Sequence, residues 1–93
     1  MDITISNIVK SIAGRDAEAL FFVLGTEGDF LLLADGKRHK VESPKRKRRK
    51  HVAFVSECNA PIAEKIKSNE KVTNSELRKA IAAIGGVNLD QEG

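Results

Sequence analysis

Six consecutive cations, Lys45-Arg46-Lys47-Arg48-Arg49-Lys50, are the residues of this sequence best suited to binding chemistry. With Lys37, Arg38 and Lys40 they place nine Lys or Arg in residues 37–51, against one acid, Glu42. That segment is +8 in a chain of net charge +3, so everything outside it sums to −5. Residues 1–36 hold two basic and six acidic groups and residues 56–93 hold five and six, so most of that excess lies in the N-terminal third. Adjacent like charges repel unless solvent, salt or an anionic partner screens them. A polyanion is the natural partner, because each phosphate contact releases condensed counterions. Arg46, Arg48 and Arg49 can fork onto phosphates or stack on unpaired bases, while Lys45, Lys47 and Lys50 act as mobile point charges. A solvated charge run or a nuclear-import signal would satisfy the same string, PKRKRRK.

Other chemistry finds less support. Cys58 is the only cysteine, which excludes an intramolecular disulfide and a CxxC zinc site. It reads as a small apolar core residue. His39 and His51 flank the basic segment, but no spacing joins them to Cys58 as a metal site. There is no glycine-rich phosphate loop, since Gly25 and Gly28 fall at a hairpin. The acids Asp16, Glu18 and Asp35 fall in expected turns, where solvated carboxylates are ordinary. A domain of 93 residues struggles to enclose a pocket of several hundred Å3. Neither catalysis, nor a cofactor, nor a small-molecule substrate is expected. The opening Met1-Asp2-Ile3-Thr4 lacks a signal-peptide pattern, and no apolar run nears the roughly 18 residues of a membrane span. A reducing, cytoplasmic setting is the default expectation.

The elements that would position the cations read as β structure first and helix second. Ile5–Ala13 is a candidate strand, closed by the turn Gly14-Arg15-Asp16. Leu20–Gly25 is a nearly continuous apolar run rich in strand formers, and Phe30–Ala34 is a third strand. Asp35-Gly36 is a two-residue hairpin signal of type I′, from which Lys37–Glu42 would return as a fourth strand. Ser43-Pro44 stops it, the basic run becomes a mobile loop that orders on binding, and His51–Val55 is a fifth strand. Phe21, Phe22, Phe30 and Phe54 fit the apolar side of this pattern, so base stacking on exposed aromatics is not expected and folded RNA is favoured over single strands. Several short strands with tight turns suggest a small barrel, which removes unprotected edges.

Helical period takes over after residue 56. Asn59 can cap a short helix with Pro61 in its first turn, ending near Asn69. Thr73 and Glu76 form a capping box, and Leu77, Ala80, Ile81 and Ile84 form an apolar stripe. Gly85-Gly86 predicts a stop, with residues 87–93 frayed. The stripe would pack on the barrel and seal one end, or serve as an interface.

The first half resembles the KOW motif of ribosomal proteins and transcription elongation factors. The resemblance runs over Ile8-Val9-Lys10-Ser11, the turn Ala13-Gly14-Arg15-Asp16, the strand Leu20-Phe21-Phe22-Val23-Leu24, and Phe30 through Lys37. With the basic segment that follows, it is similar to small bacterial KOW-domain RNA-binding proteins related to an archaeal and eukaryotic large-subunit ribosomal protein. It covers roughly residues 3–52. It implies an SH3-like small barrel over 1–55; with the two short helices read over 56–93 from pattern alone, the expected fold class is mainly β with a C-terminal helical appendage. It also implies non-catalytic binding of structured or ribosomal RNA, and a place at the large ribosomal subunit in translation. The contacts carried over by position are Lys10, Arg15, Lys37, Arg38, Lys40, Lys45, Arg46, Lys47, Arg48, Arg49 and Lys50, with His51 beside them. One departure stands out: Ala17-Glu18 occupies the place of the family's basic residue and glycine, so this loop lacks a glycine's backbone freedom and carries a carboxylate that repels phosphate. An acidic protein partner or double-stranded DNA is the alternative to RNA.

Overall fold

The computed structural model describes residues 3–14, 17–58 and 60–92, with 85–92 described by backbone alone. The chain runs β1 (Ile8–Ser11), β2 (Leu20–Glu27), β3 (Phe30–Ala34), β4 (Lys45–Arg48), a 3₁₀ turn (Arg49–His51), β5 (Val52–Ser56), α1 (Pro61–Lys67) and α2 (Asn74–Glu92). The strands form one antiparallel sheet in the order β4-β3-β2-β1-β5. Only the 3₁₀ turn separates β4 from β5, the two ends of that sheet. Three residues of 3₁₀ helix advance about 6 Å, so the sheet must curl until its ends approach. Leu24 helps it bend. Val23 pairs with Leu33 and Gly25 with Leu32, which leaves Leu24 as an unpaired bulge residue.

Strand alternation then builds two apolar layers. Val9, Phe21, Val23, Leu31, Leu33 and Val52 fill the concave side, with Ile3 below and Phe54 at its margin. Ile8, Phe22 and Ala34 point the other way, against Cys58, Ile62, Ala63, Ile66 and Leu77 from the helical half. Both faces of the central strands are covered, so the sequence of β2 is apolar without alternation. Phe21, Phe22 and Val23 are essentially inaccessible.

Several expectations are corrected. The first strand is shorter than Ile5–Ala13, because Thr4–Asn7 forms a turn: the Asn7 side chain accepts the Thr4 N–H (2.8 Å), and Ser6 adopts φ 74°. Lys37–Glu42 is not a strand. The Asp35 carboxylate accepts the N–H groups of Lys37 (2.9 Å) and His39 (3.0 Å), and Asn74 of α2 accepts that of Val41 (2.8 Å). These side-chain partners outcompete a ladder with β3. The place beside β3 goes to the basic run, so Lys45–Arg48 is strand β4 and not a mobile loop.

The helices follow the sequence signals more closely. The Thr73–Glu76 capping box is formed in both directions: Glu76 N–H donates to Thr73 Oγ1 (3.2 Å), and Thr73 N–H to Glu76 Oε1 (2.9 Å). Leu77 is fully buried, and Ala80, Ile81 and Ile84 pack beside it. Asn69 ends α1 in a left-handed conformation, φ 59°. The N-cap of α1 is Ala60, which offers no side-chain cap, rather than the expected Asn59, which lies outside the described residues. Pro61 stands in the first turn as expected. The stop expected at Gly85-Gly86 does not occur, and helical backbone continues to Glu92. Glycine inside a helix costs only about 1 kcal/mol, which an established helix tolerates.

Candidate nucleic-acid interface

Strand geometry divides the basic run. Successive side chains of β4 point to opposite faces, so Lys45 and Lys47 share the face of their partners Leu33 and Leu31, at the rim of the concave layer. Arg46 and Arg48 share the convex face with Leu32 and Phe30. Their exposure alternates accordingly, half-buried for the lysines and exposed for the arginines.

On the convex face the two guanidiniums are held at fixed positions. Both lie over the Phe30 ring, at 3.9 Å for Arg46 and 4.8 Å for Arg48, within cation–π range. Arg46 Nε donates to Glu27 Oε1 (3.0 Å) and Arg48 Nη1 to Asp29 Oδ2 (3.2 Å). These acids stand on either side of Gly28 in the β2–β3 turn. Phe30, expected in the core, is therefore a half-buried platform on the outer surface. Sequence reasoning missed Glu27, Asp29 and Phe30 as parts of this surface. The signal for the two acids was the acidic excess of residues 1–36, which had no assigned counterpart; the apolar run holding Phe30 pointed to the core instead.

The remaining cations have different tasks. Arg49 donates from Nε to Gly28 O (2.9 Å) and from Nη1 to Ile3 O (3.0 Å), while its N–H donates to Asp29 O (2.9 Å). It is a clasp joining the 3₁₀ turn to the β2–β3 turn and the N-terminal segment. Lys47 Nζ reaches Ala13 O at 3.3 Å. His51 accepts the Ile12 N–H through its carbonyl. Lys10 stands on β1, separated from β4 by β2 and β3, and pairs with Glu18 at 3.5 Å. Lys37, Arg38 and Lys40 are exposed in the loop before β4, where Lys40 lies in the field of Glu42. The ammonium groups of Lys37 and Lys50 hydrogen-bond to none of the described residues. Arg15 lies outside the described residues. The structure thus groups residues 45–50 around one edge of the sheet and leaves Lys10 apart from them.

Glu18 adopts φ 76°, a left-handed conformation that glycine tolerates and glutamate resists. The backbone keeps the shape that a glycine would permit at this position. Its N–H donates to Ser11 O (2.7 Å), which holds the loop onto β1.

Acidic groups elsewhere are engaged in structure. The Lys65 hydrogen bond (2.6 Å) lowers the pKa of Glu76, and the same contact raises that of Lys65. Hydrogen bonds from the Asn74 side chain lower that of Glu42. The described residues contain no group of three or more His, Cys, Asp or Glu able to hold a metal ion, and no helix long and apolar enough to cross a membrane. Cys58 is a buried free thiol in the sheet–helix layer. His39 lies against the Phe21 ring, at 5.6 Å between centroids. No protein-family model matches the chain, and no curated protein is significantly similar to it.

Proposed function

We propose that this protein is a non-catalytic RNA-binding module of the SH3-like, KOW-related type, which contacts the phosphate backbone of structured RNA through β4 and its flanking segments. The observation that carries this is the conversion of the basic run into an edge strand. Arg46 and Arg48 leave one face of the strand, and both guanidiniums are held over the Phe30 ring, where neighbouring phosphates of one backbone can engage the pair. Lys37, Arg38 and Lys40 before the strand and Lys50 after it extend the positive surface. Support for the barrel type comes from the order β4-β3-β2-β1-β5 and from the 3₁₀ turn joining the two ends of the sheet. The KOW-like order of residues 3–52 points to the large ribosomal subunit in the cytoplasm as the place of action.

The test is a salt titration of binding to a labelled RNA hairpin, beside a DNA duplex of equal length. Affinity favouring RNA and falling steeply with salt is expected. The combined substitutions Arg46→Ala, Arg48→Ala and Lys50→Ala should remove most of it while the fold persists. Arg49 is left out of this set because its side chain holds the turns together. Retained affinity in the triple variant, or none in the parent at low salt, overturns the assignment.

One observation favours a second reading. As the last strand on its side of the sheet, β4 can accept an acidic peptide as an added strand. Capture from lysate that survives ribonuclease would favour this reading over RNA.

A further inference from the structure

The acids facing β4 are as well placed as the cations. Glu27 and Asp29 sit on a turn whose Gly28 carbonyl accepts the Arg49 side chain and whose Asp29 carbonyl accepts the Arg49 N–H. The residue that follows β4 therefore holds the turn that supplies counter-charges to β4. Each guanidinium meets one carboxylate, at 3.0 and 3.2 Å, and all four side chains are about half exposed (49–63%). Ion pairs this open are weak singly, so an isolated phosphate only exchanges one weak pair for another, whereas a ligand that replaces both pairs at once can displace the carboxylates. Phe30 keeps both guanidiniums over its ring and limits how far they can swing away.

We propose that Glu27 and Asp29 are specificity-determining residues for the RNA site: they occupy Arg46 and Arg48 in the free protein and yield them only to a ligand presenting two neighbouring phosphates. A single phosphate can replace one carboxylate at a time and gains little over the pair that it breaks. A folded RNA backbone replaces both and releases its counterions in the same event. The surface therefore answers to a dense polyphosphate and ignores isolated phosphates and mononucleotides. This inference rests on the RNA-binding reading above.

The test is a mutant cycle read by fluorescence anisotropy with a labelled RNA hairpin, and by competition with a nucleoside monophosphate. Glu27→Gln with Asp29→Asn keeps the turn's shape and should tighten RNA binding about tenfold, equivalent to about 1.4 kcal/mol. It should also let the monophosphate compete where it does not compete against the parent. Glu57→Gln with Glu64→Gln removes the same charge from exposed carboxylates that pair with neither guanidinium, and should gain at most about twofold because charges without direct contact are screened. In an Arg46→Ala, Arg48→Ala background the gain from E27Q/D29N should vanish. An equal gain from E57Q/E64Q, or a gain that persists without the two arginines, overturns the inference while leaving RNA binding intact. A parent protein that binds no RNA at low salt overturns the RNA reading and this inference together.

Discussion

At the scale of the residue, neighbours of one type do unlike work. Arg46, Arg48 and Arg49 read alike in the sequence, yet two present their charge outward and the third is tied to backbone carbonyls. Hydrogen bonds from a charged donor contribute about 1.5–3 kcal/mol each, and water recovers part of that at a half-buried site. Arg49→Ala should therefore lower unfolding stability by about 2 kcal/mol, whereas Arg46→Ala with Arg48→Ala should cost about 1 kcal/mol or less, as exposed pairs do. Urea denaturation of the two variants separates them. Equal midpoints would mean that Arg49 is no clasp. Glu18 shows the reverse relation, a side chain at odds with its backbone: its left-handed conformation is held by Ser11 O and by the strand that follows.

At the scale of the element, β4 wins its place because the segment before it is claimed elsewhere. Gly36 adopts φ 79° and lies so close to α2 that a Cβ there would fall 2.3 Å from Asn74 O. Its carbonyl accepts Arg78 Nη1 at 2.6 Å. Loop 35–43 is thus bolted to the first turns of α2 and cannot lie along β3. Gly36→Ala should cost more than about 2 kcal/mol, since a strained φ alone costs 1–2 kcal/mol and backbone must also move. Thermal unfolding of the variant would measure it; an unchanged midpoint would contradict the close approach. The cations of β4 also discourage strand addition by another copy of this chain, because two such edges repel.

At the scale of the whole molecule, two apolar layers share one sheet, and the helices are needed for the second. Ile8, Phe22 and Ala34 are fully buried only because α1 and α2 cover them. Polar ties fix that cover: Lys65 to Glu76 between the helices, and Asn74 to Val41 and Glu42 between α2 and the loop. Glu76 and Glu42 titrate below the ordinary glutamate value of about 4.5. Their contribution to stability is present above that value and is lost as pH falls through the folded-state values. Lys65 titrates above its ordinary 10.5, so its contribution is present below 10.5 and is lost as pH rises beyond it. Glu76→Gln should therefore flatten the acid limb of a melting-temperature profile recorded between about pH 3 and pH 8. The parent and variant should converge at the acid end. A constant offset across the range would contradict the linkage.

Much of the local order was legible in the residues themselves. The apolar run of β2, the strand Phe30–Ala34, the capping box at Thr73 and the stripe on α2 are written in short-range patterns, because backbone propensity, side-chain alternation and capping act within a few residues. The concentration of positive charge in residues 37–51 is likewise a property of the sequence alone. Only the tertiary structure decided which segment pairs with β3. That choice depended on Asn74 and Arg78, distant in sequence, competing for the backbone of loop 35–43. It also decided which cations face outward and which acids meet them, because strand pairing sets the face of each side chain and the curl of the sheet brings Arg49 to the β2–β3 turn. Long-range register, not residue type, turned a run of six like charges into two paired arginines, a clasp and a fringe of lysines.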